Sequence, residues 1–153
     1  MDKQLVTDLL NEALELNKNL FLIDFSISSD NHIRVIVDGD DGVPISECVR
    51  ISRNIEHNLD EELEFSLEVA SFGAGESLTQ ARQYKKNIGR KLRVTTIEDK
   101  IIEGENISVD DAGVMLTWKA REPKPIGKGK HTVVKEEKIN FDNIKDARVV
   151  LVF

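Results

Sequence analysis

Arg82, Lys85, Lys86, Arg90, Lys91 and Arg93 fall within twelve positions that contain no acid, with Tyr84 among them. Cations beside an aromatic are what phosphate contact and base stacking require. A second basic group lies in residues 121–131, REPKPIGKGKH, where Arg121, Lys124, Lys128 and Lys130 sit among prolines and glycines. Lysines and backbone amides suit phosphate oxygens, and exposed loops carry binding residues disproportionately. The candidate contact residues are therefore Arg82, Lys85, Lys86, Arg90, Lys124, Lys128 and Lys130. Each group also has a structural reading. The loop is a soluble hairpin tip, and the strip neutralises an acidic first half across an interdomain contact. Charge patterning alone does not separate these readings.

Other residue types that do chemistry lack the neighbours they need. Asp38-Gly39-Asp40-Asp41-Gly42 invites a calcium reading, but no glutamate stands where an EF-hand loop requires one, so a turn is expected. Cys48 is the only cysteine. It falls on the inner face of an expected helix and reads as a small core residue rather than a reactive thiol. His32, His57 and His131 have no nucleophile pattern beside them, and His57 lies near a helix C-terminus, where a partial positive charge is favourable. There is no G-x-x-x-x-G-K, no H-E-x-x-H and no Cys/His quartet. Gly73 and Gly75 alone do not make a dinucleotide fingerprint. No catalytic residue, cofactor or metal is expected, and the chain reads as a protein that binds without chemistry.

The elements that would position the cations come in two styles. Val6, Leu9, Leu10, Ala13 and Leu14 share one face of a helix over 3–17, with Asp8, Glu12 and Glu15 largely opposite. Alternation predicts a strand over 20–28 with Phe21, Ile23, Phe25 and Ile27 inward, then a partner strand carrying Ile33, Val35 and Val37. A second helix is expected from an N-cap at Ser46 to about Asn58, with Cys48, Ile51, Ser52, Ile55 and Leu59 inward. Phe65, Leu67 and Val69 mark a third strand, reached by a right-handed crossover. The order α-β-β-α-β makes an N-terminal α/β domain over 1–80 with two helices on one sheet face. Then the pattern changes. A helical turn over 81–88 is stopped by Gly89. Short strands follow at 92–97, 100–109, 114–120, 131–139 and 148–152, with Trp118 in the core, and they suggest a small closed β-barrel over 81–153. The fold class is α+β.

Charge changes at the same place. Residues 1–80 hold 5 Lys/Arg and 17 Asp/Glu, a net of −12, and residues 81–153 hold 16 and 11, a net of +5. Such asymmetry suits a binding protein with two kinds of partner surface. One cysteine fits a reducing compartment, and neither a signal peptide nor a membrane-length apolar run is present, so a soluble cytoplasmic protein without a membrane partner is expected.

Several stretches together resemble the bacterial RimP ribosome maturation factor family: VIVDGDDGVPISECVRISRNIE at 35–56, LEVASFG at 67–73, QYKKNIGRKLRV at 83–94 and the ending DNIKDARVVLVF. The resemblance runs over essentially the whole chain. Asp38, Gly42-Val43, Cys48 and Ser52-Arg53 stand where that family has an aspartate-ended strand, Gly-Val, a helix-entry cysteine and Ser-Arg. It implies an N-terminal α/β domain and a C-terminal Sm-like or SH3-like barrel. It also implies work as a non-enzymatic assembly factor, here expected to act as a monomer, for the small (30S) ribosomal subunit. The implied partners are a basic small-subunit ribosomal protein, the subunit precursor and its ribosomal RNA. The alternative expectation is an Sm-like RNA-binding regulator acting through the barrel alone. One departure stands out. The family's Ser-Pro-Gly-Leu-Asp-Arg-Pro-Leu is Ser71-Phe72-Gly73-Ala74-Gly75-Glu76-Ser77-Leu78 here, with both prolines absent and Glu76 in place of arginine.

Overall fold

The structure, a computed structural model, describes residues 1–151. It divides into two compact units, Met1–Gly73 and a second beginning at Ala74. The fold is mixed α+β.

In the first unit α1 spans Lys3–Glu15 and α2 spans Ile45–Glu56, with strands β1 (Leu20–Ile27), β2 (His32–Gly39) and β3 (Ser66–Ser71). Asp2 caps α1 by accepting from the amides of Gln4 and Leu5. The N-cap of α2 is Pro44 rather than Ser46. Pro44 holds an extended backbone, and its carbonyl accepts the first helical bond from Glu47 N–H, so the helix starts directly after it without a side-chain cap. His57 is the C-cap of α2. β1 pairs antiparallel with β2, and β2 pairs parallel with β3 through the α2 crossover. Val6, Leu9, Leu10 and Ala13 of α1 and Ile51 and Ile55 of α2 bury against Leu20, Ile33, Val35 and Val37. Both helices therefore cover one face of the sheet. Cys48 packs partly buried against this core, and burial pushes its thiol pKa up.

One expectation about β1 is corrected. The register slips between Leu22 and Asp24, a bulge that places Ile23 without a partner. An extra residue reverses the alternation. Leu20 and Leu22 before the bulge, and Phe25 and Ile27 after it, are the residues that face the core. The expected inward set had Phe21 and Ile23 instead; Phe21 is buried, at 8% exposed, but outside that cluster, and Ile23 is only partly buried.

The second unit opens with α3 (Ala81–Lys86) and continues through β4 (Lys91–Thr96), β5 (Ile101–Val109), β6 (Gly113–Pro123), β7 (Lys130–Asn140) and β8 (Ile144–Val149). Residues 74–80 belong to it: the Leu78 amide donates to Ala147 O, and Ser77 hydrogen-bonds Asp146. The five strands form one antiparallel sheet in the order β7-β6-β5-β4-β8. Leu92, Val94, Ile102, Val114, Leu116, Ile139 and Ala147 form its buried side. Among the described residues no ladder joins β7 to β8, so the closed barrel expected from the strand pattern is not found. The reason is visible in the ladders. β8 adds to the free side of β4, while β6 and β7 pair with each other as far as Pro123 and Lys130 and leave β7 at the opposite edge. β8 begins four residues before the expected strand, directly after a single 3-10 turn at Phe141–Asn143. Val152, the expected strand end, lies outside the described residues.

Candidate nucleic-acid interface

The basic strip is held by a polar scaffold that is itself buried. Gln83 is fully buried, and its side-chain oxygen accepts from the amides of Thr79 at 2.9 Å and Gln80 at 3.2 Å. The Gln80 side chain caps the other way, which closes a capping box at the start of α3. At the far end the Asn87 side chain donates to Gln83 O at 2.7 Å. Asn106 of β5, also fully buried, donates to Tyr84 O at 2.8 Å. Its backbone exchanges bonds with the turn after the helix: Gly89 N–H to Asn106 O at 2.7 Å and Asn106 N–H to Arg90 O at 2.9 Å. Gly89 has φ +93°, a left-handed conformation that glycine adopts without strain. Together these bonds fix a helix too short to stand alone onto the sheet. They set Lys85 and Arg90 on the surface. Arg82 and Lys86 are half-buried and engaged with neighbours.

Tyr84 points the other way. It is 3% exposed and its ring lies 5.0 Å from that of Phe141. It is a core residue, so the aromatic that the sequence set among the cations is not available for stacking. Burial, reinforced by Asp146, pushes its phenol up to about 12. The folded state thus holds the proton more tightly than the unfolded chain does. Stability from this group is complete below the ordinary tyrosine value near 10 and is lost as pH rises from there through about 12. Because Tyr84 is the only tyrosine, ultraviolet titration reads it directly. The expected result is ionisation at about pH 12 accompanied by loss of tertiary structure. Ionisation near 10 in a still-folded protein would contradict the buried placement.

The second basic group sits at the tip of the β6–β7 hairpin, residues 124–129 between the strands. Lys124, Lys128 and Lys130 are all exposed, and Ile126 between them is 89% exposed. Gly127 and Gly129 take φ of +88° and +94°, and Lys124 N–H closes the loop onto Gly129 O. Arg121 braces the base of the loop through Thr132 Oγ1 and Lys130 O. Other cations of the sheet are spoken for: Lys91 and Arg93 hold Glu103, Lys135 holds Glu122, Lys138 holds Asp110, and Lys145 holds Asp99. Among the described residues Lys85, Arg90, Lys124, Lys128 and Lys130 have no such ion pair. The fold therefore separates cations that balance the sheet from cations that face solvent.

Trp118 is a residue the sequence placed wrongly. It is half-buried, not core, and lies at the end of the β5–β6 ladder, which stops at Glu105 and Thr117. The clue was its neighbours: Thr117 and Lys119 flank it, beyond the last inward pair Val114 and Leu116. Among the described residues no group of three or more His, Cys, Asp or Glu could hold a metal ion. No helix among them is long and apolar enough to cross a membrane.

Comparison with known proteins decides the kinship. A family model described as the RimP N-terminal domain matches residues 9–75. A ribosome maturation factor RimP from Christiangramia forsetii is 51% identical over 154 residues, which cover all of both chains. The chain belongs to the RimP family. A family member from Flavobacterium psychrophilum is 47% identical, covering 99% of this chain and 98% of its own length. Another from Cytophaga hutchinsonii is 32% identical, covering 99% and 95%. The family model spans nearly the whole first unit, and the relatives carry the kinship through the second. The resemblance expected from the sequence motifs is thus confirmed at full length.

Proposed function

We propose that this chain is a non-catalytic assembly factor in the maturation of the small ribosomal subunit. Its acidic first unit captures a basic ribosomal protein, and the exposed cations of its second unit contact ribosomal RNA in the immature particle. The observation that carries the reading, beyond family membership, is the β6–β7 tip. Lys124, Lys128 and Lys130 stand there exposed on a glycine-hinged loop that needs none of their charge to fold. Surface lysines at such a tip add little stability, while phosphate contact uses them fully. Acting as a cytoplasmic monomer suits this role.

The test is co-sedimentation. Tagged protein is expected with immature small subunits and absent from mature ribosomes. Equal association with both, or with neither, rejects the proposal. For the first unit, the surface carboxylates Asp8, Glu12 and Glu15 on α1 belong to a field that attracts cationic partners and speeds encounter. Association with a basic ribosomal protein is expected to weaken markedly as salt rises from about 0.05 to about 0.5 M, where the screening length falls below about 5 Å. Calorimetry that finds the same affinity across that range points to an apolar interface instead.

A second reading has one observation in its favour. The last strand β8 lies beside the first strand β4, the order an Sm-like or SH3-like barrel needs. A module of that kind acts as an RNA-binding regulator without the first unit's partner. RNA association that is insensitive to charge changes in α1 and unrelated to the particle favours it.

A further inference from the structure

The sheet forks beside Trp118. β6 leaves β5 after the Glu105↔Thr117 pair and continues with β7 alone to Pro123↔Lys130. At the fork is an opening of about 540 Å³ bordered by Gly89, Lys91, Gly104, Trp118 and Lys119, with Glu103 and Glu105 at its side. That size lies within the range of about 300–1,000 Å³ usual for small-ligand sites. Gly104 shapes it. A Cβ at that position would stand 3.3 Å from Trp118 Cε3 and 2.7 Å from Thr117 O, so only glycine lets the indole lie against β5 there. The opening's lining carries two cations, Lys91 and Lys119, against Glu103 and Glu105, and Arg90 adjoins it next to Gly89. Lys91 and Arg93 both engage Glu103 and hold its carboxylate below the usual range. Lys119 is exposed and has no ion pair among the described residues. The fork also lies between the two basic groups already described. Arg90 follows Gly89 on one side, and the hairpin tip begins roughly 15 Å beyond Lys119 on the other, at about 3.3 Å per strand residue.

We propose that this fork binds one unpaired nucleotide of RNA, its base stacked on the Trp118 indole and its phosphate contacted by Lys119 and Arg90. The inference rests on the RNA-contact reading above and gives it a location. Stacking tolerates any base, because each has a π-face, and it is worth roughly tenfold or more in affinity when the aromatic is removed. The flanking cations add a salt-dependent contribution. Duplex RNA has no unstacked base to offer and is not expected to compete.

Trp118 is the only tryptophan of the chain, so its fluorescence reports the fork directly. The full-length protein is titrated with single-stranded oligouridylate at low salt, and binding is followed both by fluorescence and by filter retention. Saturable quenching is expected, with the same midpoint by both methods. Trp118→Ala should weaken retention about tenfold or more, Trp118→Phe should restore most of it, and Lys119→Glu should weaken it while flattening the salt dependence. Retention without any fluorescence change, or unaltered by Trp118→Ala, overturns the proposal. Should that variant fail to fold, an unaltered affinity in Lys119→Glu overturns it instead. RNA binding that is silent at Trp118 yet abolished by reversing the tip lysines removes the fork but leaves the RNA-contact reading standing. A protein that binds no RNA at all removes both.

Discussion

Reversing Lys124, Lys128 and Lys130 to glutamate is expected to cut affinity for the immature particle by roughly a hundredfold. Each exposed lysine–phosphate contact is taken at about 1 kcal/mol, and three of them amount to about two decades. The salt dependence should change with it. At a slope of about 0.7 per phosphate on single-stranded RNA, losing three contacts flattens the log–log plot by about 2. The melting temperature should barely move, because all three side chains are exposed and the turn is made by Gly127 and Gly129. Sedimentation across a salt series, with circular dichroism on the same samples, checks both halves of the expectation. Intact particle binding in the triple variant would place the RNA contact elsewhere. A collapse of the melting temperature would mean that the charges stabilise the fold.

The second large effect concerns stability, and it should be confined to one unit at a time. Leu10 is 1% exposed beneath α1, and Leu116 is fully buried under β6. Replacing either by alanine removes buried methyl groups and leaves a cavity, a cost of about 2–5 kcal/mol. Against a typical domain stability of about 5–15 kcal/mol, that loss is severe. Native-state hydrogen exchange should show Leu10→Ala loosening amides of β1–β3 and Leu116→Ala loosening those of β4–β8. Both variants loosening both units equally would contradict two separate cores.

What the sequence disclosed, and what it hid, follows physical lines. The apolar repeat of α1 and the strict alternation of Ile33, Val35 and Val37 were legible because a single face is buried and the period is regular. β1 was misread at one end because a bulge adds one residue, and no composition cue marks it. The tip lysines were legible as a loop from their prolines and glycines. Tyr84 was misread because the segment's charge drew attention away from its buried partners, Gln83, Asn87 and Asn106. Those polar residues look like surface in sequence, and only the ladder to β5 shows that their side chains turn inward to satisfy the backbone. Trp118 was misread because its apolar neighbours Met115 and Leu116 suggested a core position, whereas the pairing of β6 with β5 stops one residue short of it.

The strand order of the second unit carries a consequence for the route by which it folds. β6 and β7 are neighbours in the chain, and their register runs unbroken from Gly113↔Asn140 to Pro123↔Lys130. Closing that hairpin costs little chain entropy. β4 has no such local partner on its outer side, since Leu92 pairs with Val149 near the far end of the unit. Pairs so distant in sequence are slow to find each other, and they set the rate in sheets of high contact order. Pulsed hydrogen exchange during refolding should therefore protect the β6–β7 amides early and the β4–β8 amides last. Until β8 arrives, β4 presents an open edge, and this nearly complete sheet is the species most prone to pair with the wrong chain.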